Sequence, residues 1–258
     1  MPPSTAFSVV TPHSITAAPS ASVRGGRLAG LSLLLAAVGF IAVFTALAGS
    51  FDYPDILDQP AGEVLPRLLG LGARGRAIWA LHAAIPLLLV PAAAGLSSVH
   101  DAVRHRHVVR MAAALAILSA FSMMLGLVRW PSVQWELARA WSAASAAERG
   151  TLTTLFDGAN MMLGRFIGEF FGELFLNLAF VLFSVVAWSD RRLPRWVSAF
   201  GVSAGVIGLV AMWRNVTPAV SLVADVNNAI LPAWLIVWGV ALVRENRPAG
   251  QLHDSQRT

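Results

Sequence analysis

Cysteine is absent from the 258-residue chain, and so is lysine. Without a thiol the protein has no disulfide, no thiolate metal site, no iron–sulfur cluster and no cysteine nucleophile. Without lysine, all 19 basic residues are arginine. Charge itself is scarce. Only 13% of residues are charged and 56% are hydrophobic, whereas a soluble domain carries about 25% charged residues. Familiar catalytic signatures are missing too. There is no His-Glu-x-x-His zinc pattern, no Walker-type loop and no nucleotide fingerprint in a strand context. No cofactor is expected.

What is present is a set of long apolar blocks. Blocks near 20 residues match a hydrocarbon core of about 30 Å at about 1.5 Å per helical residue. The blocks place spans at about 28–49, 77–98, 111–128, within 156–188, 197–213 and 229–243. The expected fold is all-α, a polytopic bundle of six transmembrane helices. A Ser-, Ala- and Pro-rich segment, 1–23, reads as a disordered tail, 24–247 as the membrane domain and 248–258 as a polar tail. A cleaved signal peptide competes for the first block, with Ala46-Leu47-Ala48 as its cleavage site. The block is too long for a signal core of about 7–15 residues, which favours an uncleaved helix.

Two segments join spans on the side away from the N-terminus. The first is Phe51-Asp52-Tyr53-Pro54-Asp55-Ile56-Leu57-Asp58-Gln59-Pro60, an acidic, proline-punctuated loop followed by a short interfacial helix over 63–71. The second, 130–155, puts Trp135, Leu137, Ala138 and Trp141 near one face and predicts an amphipathic helix on the outer surface.

The net charge of +5 sits in clusters at span ends, as topology signals do. This argues against nucleic acid as a partner and for the lipid bilayer. With the N-terminus inside, eleven arginines lie on the inner side: Arg24, Arg27, Arg104, Arg106, Arg110, Arg191, Arg192, Arg195, Arg244, Arg247 and Arg257. Seven lie outside: Arg67, Arg74, Arg76, Arg129, Arg139, Arg149 and Arg214. Both termini are therefore expected in the cytoplasm of a bacterial inner-membrane protein. Trp130, Trp188, Trp196 and Trp213 mark span ends as an aromatic belt. His82 is the one histidine inside a span, which excludes an intramembrane bis-histidine haem. His100, His105 and His107 flank arginines and read as solvated groups rather than metal ligands. Asp52, Asp55 and Asp58 read as an ordinary turn rather than a cation site.

The fourth span departs from a bland bundle. At about 100° per residue, Arg165, Glu169, Glu173 and Asn177 share about a third of the helix circumference. Gly164, Gly168 and Gly172 form a parallel stripe beside them that admits a close neighbour. Gly201 and Gly205 on the fifth span are the expected partners. Counting about 20 residues outward from Trp188 sets Glu169 near the outer interface and Glu173 a turn deeper. Carboxylates at that depth should face protein or water, since exposure to hydrocarbon costs about 2.5–3.5 kcal/mol.

Three readings remain open. Arg165 pairs with Glu169 in a structural seam, or the stripe serves an outward-facing site for a cation, proton or small polar ligand. Otherwise a carboxylate acts as acid or base in an intramembrane enzyme, although Glu-x-x-x-Glu lacks the Glu-x-x-His of di-iron bundles. The non-enzymatic site leads. A structural or accessory subunit, using the glycine ridge to meet a membrane-protein partner or a second copy, is the alternative.

Several short motifs resemble a known pattern: Tyr53-Pro54-Asp55-Ile56-Leu57, Leu163-Gly164 with Gly168-Glu169, Arg192-Leu193-Pro194-Arg195-Trp196, and Gly201 with Gly205. Together they resemble domain-of-unknown-function family 4386, bacterial multi-pass membrane proteins, over about 28–244. The resemblance implies a six-helix bundle and supplies no activity.

Overall fold

Apolar blocks become helices because a chain in hydrocarbon must satisfy its backbone hydrogen bonds internally. Among the described residues six helical segments are long and apolar enough to cross a membrane: Ser22–Phe51, Gly72–Val99, Arg106–Ala143, Ala146–Asp190, Arg195–Asn215 and Pro218–Arg244. The protein is an all-α, multi-pass membrane bundle. The computed structural model describes residues 21–100 and 104–245. Of the tail expected over 1–23, residues 21–23 belong to a helix instead; residues 1–20, the tail at 248–258, and Arg247 and Arg257 lie outside the described residues.

Helix α1 is Ala21–Phe51. A 3₁₀ turn, Asp55–Asp58, leads to the short helix α2, Ala61–Gly70. The second span comprises α3, Gly72–Ala84, and α4, Leu89–Val99, joined by the 3₁₀ turn Ile85–Leu88. Pro86 lies in that turn, where its missing N–H removes an α-helical bond. The third span is α5, Arg106–Val128, extended through a π-helical turn, Trp130–Gln134, into α6, Trp135–Ala143. The fourth is α7, Ala146–Ala159, a π-helical segment Asn160–Phe171, and α8, Gly172–Asp190. Ser145 caps α7 in a reciprocal box with Glu148. Helix α9, Arg195–Ala211, and helix α10, Ser221–Arg244, complete the bundle.

Each span packs against its neighbours in sequence, and the sixth closes onto the first, giving a ring of six. Two aromatic cores fill it. At the Asp58 end Trp79 stacks on Trp130 with centroids 4.8 Å apart, against Phe51, Ile56 and Leu65. At the Asp190 end Trp234 stacks on Trp238 at 5.0 Å, with Phe180 and Phe183 against them. Leu28, Leu31, Leu35, Val38 and Ile41 are exposed on α1, an outward apolar stripe suited to lipid.

The spans are longer than their apolar blocks. The segment expected as an outer-surface helix is helical, but α6 continues the third span, and Trp135 and Ala138 are buried in the core shared with α2. Its apolar face is spent on protein rather than on the membrane surface. The sixth span starts before 229, because Asp225 and Asn228 can stay exposed while Asn227 is buried.

The glycine ridge meets a different helix from the one its spacing suggested. A Cβ on Gly168 would lie 2.8 Å from Gly126 Cα, and one on Gly172 would lie 2.8 Å from Met123 Cγ. Both contacts are with α5. Gly201 faces Ser184 and Trp234, and Gly205 faces Val181 and the Asn177 carbonyl. The fifth span therefore packs on the fourth one or more turns below the ridge. Depth decides this: short connections register α9 with the lower part of α8, leaving the upper part to α5.

Candidate polar site at the Asp58 end of spans three to five

The π-helical segment Asn160–Phe171 changes which side chains share a face. Hydrogen bonds of i→i+5 type wind the chain more slowly than an α-helix. Residues five apart, rather than four, then lie one turn apart, and Arg165 and Glu169 turn to different partners. Arg165, 47% exposed at its side chain, reaches outward to Asp58 at 3.1 Å. The acidic loop is thus tied down twice, since Asp52 also pairs with Arg67 at 3.7 Å.

The cation that serves the two glutamates is Arg214, at the end of the fifth span. Its Nη1 and Nη2 donate to the two Glu173 oxygens at 2.8 and 2.6 Å. Nη2 also reaches Glu169 Oε2, at 3.3 Å. Glu173 is therefore held by a forked pair of short bonds, the strongest form of guanidinium–carboxylate contact. Glu169 keeps one long bond, a side chain 34% exposed, and an Oε1 with no partner among the described residues. Asn177 lies deeper, buried in the notch of Gly208, and donates to the Glu173 carbonyl at 2.7 Å. Arg165 and Asn177 thus stand at opposite edges of the stripe, and only Glu169 and Glu173 are brought to one partner.

A second arginine belongs to the same place. Arg129, counted in sequence as a topology signal, is 6% exposed. Its Nε donates to Asn160 Oδ1 at 3.0 Å, and its Nη1 donates to the Gly126 carbonyl. Gln134 donates to the same Asn160 oxygen at 2.9 Å. A Cβ on Gly164 would stand 2.6 Å from Arg129 Nη2, so this glycine seats a guanidinium rather than a helix backbone. Slow π winding puts Asn160, Gly164, Glu169 and Glu173 in line, the first two on Arg129 and the last two on Arg214. The one signal that pointed toward Arg129 and Arg214 was general and singled out neither: two carboxylates in a span need cations, and arginines end both flanking spans.

Tyr53 closes the site from the loop. Its ring packs edge-on to Trp79 and His82 at 5.7 and 6.0 Å. Burial and the facing Glu169 carboxylate push its hydroxyl up to about 12, against the opposing pull of Arg129 and Arg214. His82 is buried and stacked on Trp79, with Nδ1 unpartnered among the described residues.

At the other end Asp190 bridges His100, at 3.2 Å, and His105, at 3.8 Å. His100 is fully buried rather than solvated. Among the described residues no group of three or more His, Asp or Glu side chains is arranged to hold a metal ion.

A family model described as Domain of unknown function (DUF4386) matches residues 28–242. No curated protein and no solved structure matches the chain.

Proposed function

Because the chain belongs to the DUF4386 family, which carries no assigned activity, we propose its function from its own site. The reading is a non-enzymatic inner-membrane protein whose spans three to five form a polar binding site around Glu169. The N-terminus and C-terminus lie in the cytoplasm, so the site opens outward. One observation carries it: Arg214 commits its short bonds to Glu173 and leaves Glu169 with a long bond and a free oxygen. A carboxylate one-third exposed, with unused acceptor capacity, is suited to a cation, a proton or the donor end of a polar ligand. The accessory-subunit alternative loses its proposed surface, because Gly164, Gly168 and Gly172 are buried within the chain.

Thermal unfolding of the protein in detergent tests the reading, scanned over pH and with sodium or methylammonium added. Preferential binding to the folded state raises the transition temperature. The shift should vanish in Glu169→Gln and persist in Glu63→Gln, an exposed carboxylate on α2. A flat parent response would leave only a structural seam.

A further inference from the structure

Beside Glu169 the site holds a second group with unused bonding capacity, and its sign is opposite. Arg129 Nη2 donates to nothing among the described residues, while Nε and Nη1 are fixed by Asn160 and Gly126. Trp130 lies 5.1 Å from the guanidinium carbon and backs it. No carboxylate among the described residues comes within ion-pair distance of Arg129. A guanidinium buried without an anion is costly to keep, and its planar fork is matched to an oxyanion. Gly164 contributes no side chain at the Nη2 edge, where a Cβ would stand 2.6 Å away.

Glu169 follows Gly164 by five residues, one turn in an i→i+5 helix. By α-helical pitch that is about 5 Å along the axis. The Tyr53 hydroxyl, without a hydrogen-bond partner among the described residues, lies within electrostatic range of both Glu169 and Arg129. A free N–H of a cation and a free oxygen of an anion thus border one helical segment, about one turn apart. A simple anion entering between them meets Glu169, and a simple cation meets Arg129. A molecule carrying both charges satisfies both.

We propose that a small zwitterion binds between these groups, a primary ammonium joined through one to three atoms to a carboxylate or phosphate. The oxyanion accepts from Arg129 Nη2, the ammonium donates to Glu169, and the Tyr53 hydroxyl bonds between them. The assignment rests on the reading of Glu169 as a binding group and adds the ligand class. A free amino acid and an ethanolamine lipid headgroup share this chemistry.

The test uses the full chain in detergent at low-millimolar ligand, below the range of general osmolyte stabilisation. Glycine and glycerophosphoethanolamine are compared with acetate and methylammonium, each of which carries one of the two charges. One zwitterion should half-saturate the thermal shift at about tenfold lower concentration than either single-charge probe, as one added charge-assisted hydrogen bond provides. Glu169→Gln keeps the side-chain shape. It should erase the zwitterion preference and strengthen the acetate response, because Arg129 is then unopposed.

If the source is lipid, phosphatidylethanolamine nanodiscs should stabilise the parent above phosphatidylcholine nanodiscs, whose quaternary ammonium has no N–H. Glu169→Gln should not distinguish the two lipids. Acetate or methylammonium matching both zwitterions, with no lipid preference, overturns the proposal, as does full zwitterion preference in Glu169→Gln. A methylammonium shift removed by Glu169→Gln without any zwitterion preference overturns this proposal and leaves the Glu169 site standing. No response to any probe removes both.

Discussion

Gly126 on α5 and Gly168 in the π-helical segment approach so closely that a Cβ on Gly126 would lie 2.5 Å from Gly168 Cα. The contact is backbone against backbone, so neither side can yield by rotating a side chain. It holds the third and fourth spans at the separation from which Arg129 can reach Asn160.

Gly168→Ala should therefore destabilise the folded protein by about 1–3 kcal/mol, the usual range for overpacking. Gly49→Ala, at a position with nothing within 4 Å of the added carbon, should change stability by less than about 0.5 kcal/mol. Denaturant titration in detergent measures both. Equal tolerance at the two positions would remove the close-approach argument.

Arg214 should be the residue whose loss costs most at the site. Arg214→Met strands two carboxylates, and breaking a well-buried pair costs about 3–5 kcal/mol. Here the side chains are 26%, 34% and 13% exposed, so solvent should reduce the loss to about 1–3 kcal/mol. Adding Glu173→Gln to Arg214→Met should recover part of it. A double variant worse than the sum of its singles would show that the fork is not the main coupling.

Arg165→Ala should change stability by no more than about 0.5 kcal/mol, because its partner Asp58 is 81% exposed at the side chain and exposed pairs contribute little. Thermal unfolding checks this against Arg129→Met. The latter should lower the transition clearly, since it removes the side-chain donor to the Gly126 carbonyl and leaves Asn160 Oδ1 with Gln134 alone. An Arg165 effect as large as that of Arg129 would restore the i+4 pairing with Glu169.

The six spans and their glycine stripes were legible because apolar run length and small-residue spacing act over one helix. That Glu169 and Glu173 need partners was legible too, as carboxylates in an apolar block must be paired or hydrated. Their partner was not. Arg214 lies 41 residues from Glu173 in sequence and looks like any belt arginine after Trp213. Arg129 was hidden in the same way, beside Trp130. The fixed 100° rotation joined Arg165 to Glu169, but Asp58 and Arg214 take those two side chains instead. Nothing in the residue types from Asn160 to Phe171 announces the slower winding, which comes with tertiary contacts such as the seating of Arg129 on Gly164.

The orientation has its own test, made clean by the absence of cysteine. Ser142→Cys and Ser189→Cys replace exposed residues at opposite ends of the bundle. An impermeant thiol reagent added outside intact cells should label the first and spare the second. The reverse pattern would invert the topology.

The central claim is that Glu169 faces water rather than a sealed seam. Labelling of Glu169→Cys by the same impermeant reagent tests it most directly, with Ser184→Cys as the reference, since Ser184 is buried among spans four, five and six. The account predicts that Glu169→Cys reacts from the side that labels Ser142→Cys, while Ser184→Cys stays unreactive in the folded protein. A Glu169→Cys as inert as Ser184→Cys would contradict it.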